Sequence, residues 1–182
     1  MPFILAVSGS PSPHSRTALA ADHVLAALTV AGFTTSHLAV RDLPQRDLLA
    51  AARDAPALWD AADAVARADG IVIATPVYKA SYTGLLKAFL DLLPENALAG
   101  KVVLPLATGG TVGHLLAIDY ALRPVLTALG ADHVVQGRFL LEQDILRGPD
   151  GTGSLAPSAE SRIAESVDQF VGALRLATAV SA

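Results

Sequence analysis

Hydroxyl side chains and one guanidinium crowd into Ser8-Gly9-Ser10-Pro11-Ser12-Pro13-His14-Ser15-Arg16-Thr17, directly after the apolar run Phe3–Val7 and before a helix-like stretch from Ala18. A buried strand, a hydroxyl-rich turn and a helix start make a phosphate cradle. N–H groups at a helix N-terminus point at an anion, and the helix dipole favours negative charge there. Ser10, Ser15 and Thr17 offer further donors, and Arg16 a full charge. These residues suit a terminal phosphate monoester held without a metal. They do not suit a nucleoside triphosphate: the Gly-x-x-x-x-Gly-Lys-Ser/Thr loop is absent, as is the Gly-x-Gly-x-x-Gly dinucleotide turn. The plainer alternative is a Ser/Pro-rich turn that only caps the helix.

Two later loops weigh against that alternative. Thr75-Pro76-Val77-Tyr78-Lys79-Ala80-Ser81-Tyr82-Thr83-Gly84 follows another apolar run. Pro76 stops the strand and stiffens the turn. Val77 and Tyr78 offer apolar and aromatic surface beside free backbone amides, which a flat heteroaromatic ring needs. Tyr78 filling a gap in the core is the other option. Thr108-Gly109-Gly110-Thr111-Val112-Gly113-His114 is the third loop, and its adjacent glycines let backbone approach a ligand. His114 has no carboxylate partner in the pattern and is expected to do no proton transfer. A phosphate cradle, a ring platform and a glycine wall together match flavin mononucleotide (FMN). No metal-ligand spacing and no Gly-x-Ser-x-Gly nucleophile turn occur.

The elements that must position these loops alternate along the chain. Strands are predicted at Phe3–Val7, Phe33–Val40, Ile71–Thr75 and Lys101–Ala107, with a fifth beginning at His133–Gln136. Pro105 points to an irregularity near the end of the fourth. Helices are predicted at Ala18–Ala31, closed by Gly32, at Ala57–Ala68, at Thr83–Leu93, at Leu115–Leu129, ended by Gly130, and at Ser161–Ala177. Leu43–Pro56 is an irregular connection with helical potential, and Gly148–Ser158 a surface loop rich in Gly, Pro and Ser. Short apolar strands separated by helices imply a parallel α/β sheet covered on both faces. The length fits one flavodoxin-like domain, 1–182, with strand order 2-1-3-4-5. In such sheets ligands bind beyond the carboxyl ends of the strands, where strand order reverses. That rim gathers the loops after strands one, three and four.

Leu115, Ile118, Leu122, Val125 and Leu129 recur at helical spacing and should face a core or a partner, but Pro124 interrupts them. Lacking an N–H, it leaves the Tyr120 carbonyl without its usual donor, so a kink or a π-type turn is expected there.

Composition narrows the function. Hydrophobic residues make up 52% and charged residues 16%, as in a well-buried globular protein. The net charge of −4 favours neither nucleic acid nor an anionic membrane as partner. With no cysteine, thiol redox chemistry is excluded, so redox work would need a bound cofactor. No signal peptide or spanning segment is evident, and a cytoplasmic location is expected.

The blocks Ala74–Lys79, Leu85–Pro94 (LLKAFLDLLP) and Gly100–Pro124, with KVVLPLATGGTVGHLLAIDYALRP, carry a resemblance, joined by Gly9-Ser10-Pro11 and Ser15-Arg16. The sequence resembles the NADPH-dependent FMN reductases of the flavodoxin-like superfamily. It is more closely similar to the reductase components of two-component alkanesulfonate monooxygenase systems. The resemblance spans most of the chain and thins after Arg138. It implies hydride transfer from NADPH to FMN held as an exchangeable substrate, with reduced FMN passed to a partner monooxygenase. Ser10, Ser15, Arg16 and Thr17 would then hold the FMN phosphate. Pro76, Val77, Tyr78 and Lys79 would meet the ring and its polar edge, and Thr108, Gly109 and Gly110 would complete the pocket. Lys79 has the NADPH phosphate as an alternative partner. The resemblance also implies a π-type turn at Tyr120, with that residue at the interface of a homodimer or tetramer. Competing classes are a quinone or azo reductase with tightly held FMN, and a flavodoxin-type electron carrier; carriers of that kind are more acidic than −4.

Overall fold

The structure, a computed structural model, describes residues 1–148 and 152–180. Five strands lie side by side in the order β2-β1-β3-β4-β5: β1 Phe3–Ser8, β2 Thr34–Ala39, β3 Gly70–Pro76, β4 Val102–Gly109 and β5 His133–Val134. All are parallel, and β6 (Arg138–Leu141) also pairs with β4. The predicted order and class are those observed.

Side chains alternate across this sheet with period two. Ile4, Ala6, Val72 and Leu104 face one layer, formed by α1 (Arg16–Val30) and α6 (Pro157–Val180). Leu5, Val7, Ile71 and Ile73 face the other, which includes α3 (Pro56–Arg67) and α4 (Gly84–Leu90). The short helix α2 (Gln45–Leu49) occupies the irregular connection and contributes Leu48 to that second layer.

Local chemistry sets the helix ends. Ser15 caps α1 by accepting the Ala18 N–H at 3.0 Å, and Thr83 caps α4 by accepting the Leu86 N–H at 3.1 Å. Pro56 opens α3, where no intrahelical N–H is required of it. Gly32, at φ +93°, follows α1 in the left-handed conformation that glycine favours.

The fifth position of the sheet differs from expectation. It is split into β5 and β6, and Pro105 accounts for the break. The Val103 carbonyl accepts the Val135 N–H at 3.0 Å, so residues of that parity on β4 turn their polar groups toward the fifth strand. Pro105 shares the parity and has no N–H to offer. Pairing therefore lapses after Val103↔Val134 and resumes at Leu106↔Arg138.

The predicted helix Leu115–Leu129 is also divided. A π-helical turn, Ile118–Leu122, precedes α5 (Arg123–Ala128). The Arg123 N–H reaches back five residues to the Ile118 carbonyl, and the wide turn accommodates Pro124. Ile118 and Leu122 are buried, but Leu115 is exposed, so the apolar stripe is not continuous toward the core.

Part of the predicted Gly148–Ser158 loop is regular structure. Gly153–Leu155 (β8) pairs antiparallel with Ile145–Arg147 (β7), and α6 starts at Pro157. Residues 149–151 of that stretch lie outside the described residues. Among the described residues no helix is long and apolar enough to cross a membrane.

Candidate functional site

The carboxyl ends of β1, β3 and β4 end in register: Ser8 lies opposite Ala74, and Pro76 opposite Thr108. The loops after them open together into a cleft of about 190 Å³. Ser10, Ser12, His14, Ser15, Arg16 and Thr17 line it from the first loop, Pro76 and Tyr78 from the second, and Thr108 from the end of β4. Glu142 closes the remaining side.

Buried hydrogen bonds stitch the loops to one another. The Gly9 N–H donates to the Ala74 carbonyl at 2.8 Å. Thr83 Oγ1 donates to the Gly9 carbonyl at 2.6 Å, and the Thr83 N–H donates to Thr75 Oγ1 at 3.2 Å. The Val77 N–H donates to the Thr108 carbonyl at 2.8 Å. Thr17 and Thr108 meet hydroxyl to hydroxyl at 2.6 Å, joining the first loop to the third. Gly9 is required by closeness: a Cβ there would collide with Leu86 Cβ and lie 3.2 Å from Leu86 Cα.

Three hydroxyls of the first loop each accept a backbone N–H. Ser10 accepts from Ser12 at 3.4 Å, Ser12 from His14 at 3.1 Å, and Ser15 from Ala18 at 3.0 Å. Their own protons remain available to an anion. The N–H groups of Arg16 and Thr17, first in α1, find no carbonyl inside the helix. This donor set fits a phosphate monoester, and Arg16, half exposed, supplies the charge.

A hydrogen-bonded chain braces the start of this loop. His37 Nδ1 lies 2.6 Å from Asp22 Oδ1, and His37 Nε2 lies 2.8 Å from Ser8 Oγ. A carboxylate only accepts, so Nδ1 carries a proton toward Asp22, and Nε2 pairs with the Ser8 hydroxyl. The order imitates a hydrolytic triad, but Ser8 is fully buried and does not line the cleft. The chain fastens the end of β1 to the edge strand β2.

In the second loop, Tyr78 and Ser81 exchange both backbone hydrogen bonds, at 2.9 and 3.2 Å. Lys79 and Ala80 between them have φ of +51° and +64°. Left-handed conformations at two successive non-glycine residues are strained, and strain of this kind collects at ligand sites. The turn leaves the Tyr78 ring half exposed at the edge of the cleft and Lys79 in solvent.

Two of the predicted residues have structural duties. Val77 turns its side chain into a small cluster with Ala107, Ala117 and Ile118 and does not line the cleft. A Cβ on Gly109 would lie 2.9 Å from Phe139 Cζ, so the space beside this glycine is taken up by the Phe139 ring. A Cβ on Gly110 would meet nothing within 4 Å, so its backbone is open to solvent, and neither glycine lines the cleft. His114 lies behind Gly109: its Nδ1, buried and without a partner, would be 3.7 Å from a Cβ there.

Glu142 was outside the predicted set. It begins a 3₁₀ turn, Glu142–Asp144, that follows β6. The rule that gathers loops at strand carboxyl ends covers it once the fifth strand is known to resume and run to Leu141.

A larger cleft of about 570 Å³ opens at the opposite end of the sheet, beside Pro2, Asp69 and Lys101. Its polar groups are already committed. Lys101 Nζ donates to the carbonyls of Ala66 and Ala68 at 2.8 and 2.6 Å, and Asp69 accepts the Phe3 N–H at 2.6 Å. Burial holds the Lys101 ammonium below the ordinary lysine value, partly offset by the charge of Asp69. Lys87, on α4, is raised by its hydrogen bond to Asp91.

A sequence profile described as NADPH-dependent FMN reductase matches residues 2–145. The chain is 43% identical over 174 residues to an FMN reductase (NADPH) of Pseudomonas putida, covering 94% of this chain and 88% of that protein. It is 42% identical over 174 residues to an FMN reductase (NADPH) of Escherichia coli, covering 94% and 89%. The solved apo form of an NADH:FMN oxidoreductase (EMOB) superposes with a TM-score of 0.85 at 44% identity, covering 93% of this chain and 88% of that one.

Proposed function

The chain belongs to the NADPH-dependent FMN reductase family, and on that premise we propose that it takes FMN as an exchangeable substrate and supplies the reduced flavin to a flavin-dependent monooxygenase in alkanesulfonate desulfonation. It is an NAD(P)H-dependent oxidoreductase acting on FMN. The observation that carries the site assignment is the convergence of three loops on one cleft, at a helix N-terminus that holds Arg16.

Ser10, Ser15, Arg16 and Thr17 hold the phosphate. Pro76, Tyr78, Lys79 and the backbone of Val77 border the ring, and Thr108 with the backbone of Gly110 closes the pocket. FMN, when bound, supplies the hydride-accepting ring, and NADPH supplies the hydride. This chain's residues orient. The interlocked Thr17 and Thr108 hydroxyls fix the phosphate loop against β4. The strained Tyr78–Ser81 turn holds an aromatic face at the edge of the cleft. Lys79, in solvent, meets the flavin's polar edge or the NADPH phosphate. No side chain is assigned a proton-transfer duty.

Tyr120, 79% exposed on the π-helical turn beside the exposed Leu116, is assigned to the interface of a homodimer or tetramer. One domain, 1–182, acting in the cytoplasm, completes the proposal.

Steady-state kinetics test it. The purified protein should be colourless and oxidise NADPH only when FMN is added, and double-reciprocal plots should intersect because both substrates occupy the site together. Parallel plots, with stoichiometric flavin surviving dialysis, would overturn it in favour of a quinone or azo reductase with tightly held FMN.

A further inference from the structure

The charged groups lining the cleft are one arginine and one carboxylate. Glu142 Oε2 lies 3.9 Å from Arg16 Nη1, with both side chains near half exposure. A site evolved only for retention would leave Arg16 free for the anion. Here its nearest partner is a carboxylate, and the two fixed charges cancel where a phosphate dianion would sit.

The backbone that carries this carboxylate is held at this place. Its turn is tied down on three counts: Ile145, next along, is buried; the Asp144 carbonyl accepts the Ala156 N–H at 2.8 Å; and the Asp144 side chain pairs with Arg162 at 3.4 Å. Arg162 is thereby engaged by Asp144 and by the Ser158 carbonyl. It is not left over to neutralise Glu142.

We propose that Glu142 is an exchange residue for FMN: its carboxylate competes with the flavin phosphate for Arg16 and repels the dianion, which weakens binding and speeds release. The proposal rests on the assignment of the phosphate to the first loop. It gives a physical reason for a flavin that comes and goes although the cradle is rich in donors. A like charge a few ångströms from the phosphate, in a cleft open to water, should weaken FMN about three- to tenfold. Riboflavin has no phosphate and should be indifferent to it.

Flavin titration by fluorescence quenching, with stopped-flow release, tests this on the whole chain. Glu142→Gln should tighten FMN about three- to tenfold, slow its release correspondingly, and leave riboflavin within about twofold. The gain should shrink as salt rises, and Glu142→Asp should behave like the native protein. An unchanged urea midpoint shows that the fold is intact. Unchanged or weaker FMN binding in Glu142→Gln, or equal tightening of riboflavin, would overturn the proposal. Arg16→Ala separates its failure from that of the underlying assignment. Selective loss of FMN affinity in Arg16→Ala keeps the phosphate in the first loop, whatever Glu142 does. Equal loss of both flavins removes the phosphate from that loop, and this proposal with it.

Discussion

Gly9→Ala probes the closest approach in the site. The added Cβ would collide with Leu86 Cβ, and would lie 3.1 Å from Thr83 Oγ1 and 3.2 Å from Leu86 Cα. None of these is the tip of a flexible side chain, so a change of rotamer gives no relief. Either the first loop lifts off α4 or the helix shifts. Lifting the loop strains the Thr83–Gly9 bond at 2.6 Å and the Gly9–Ala74 bond at 2.8 Å. Overpacking of this kind costs about 1–3 kcal/mol. At a urea m-value of about 2 kcal/mol/M, the midpoint should fall by about 0.5–1.5 M. FMN affinity should fall as well, because the loop that moves carries Ser10. Leu86→Ala keeps the offending Cβ and should not rescue the variant. In a Leu86→Gly background, already weakened, Gly9→Ala should cost less than it does alone. A Gly9→Ala protein with native midpoint and native FMN affinity would refute the packing of loop against helix from which the cleft is built.

Three further outcomes are expected. Thr17→Val leaves the buried Thr108 hydroxyl without its partner and should cost about 1–3 kcal/mol in urea unfolding, with the double variant Thr17→Val, Thr108→Val costing less than the sum. Lys79→Gly relieves a left-handed residue and should raise stability by about 1 kcal/mol, while a rise in the KM for NADPH, at unchanged FMN affinity, would assign the lysine to the nucleotide. Burial lowers Lys101 below its ordinary value of 10.5; between the lowered value and 10.5 the unfolded chain binds more protons. Its contribution to stability therefore rises with pH across that window, and Lys101→Met should flatten the slope in unfolding measured from neutral to alkaline pH.

Much of this architecture was legible because short apolar runs alternate with helical stretches, and that pattern leaves few topologies. The rim rule then brings Ser10, Ser15, Arg16, Thr17, Pro76, Tyr78 and Thr108 to one cleft. What stayed hidden was decided by distant residues. The split of the fifth strand is set on β4 by Pro105, and Gly137 alone marks it locally, without fixing where pairing resumes. Val77 and Gly109 read as ligand-facing, yet their faces are fixed by Ile118 and Phe139, which the chain supplies much later. The left-handed pair Lys79-Ala80 carries no glycine or asparagine, so the tight turn had no sequence signal. Glu142 was missed for the same reason as the split strand: its place on the rim depends on where β6 ends. The π-helical turn was readable, because a proline inside an apolar helical pattern leaves a carbonyl that some wider turn must serve.

A crystal structure of the chain with FMN measures directly where the flavin sits. The phosphate is expected within hydrogen-bond distance of Ser15, Arg16 and Thr17, with the flavin ring along Pro76–Lys79 and the Arg16–Glu142 pair opened. A phosphate bound elsewhere, or a ring in the first loop with the phosphate turned to solvent, would contradict this placement.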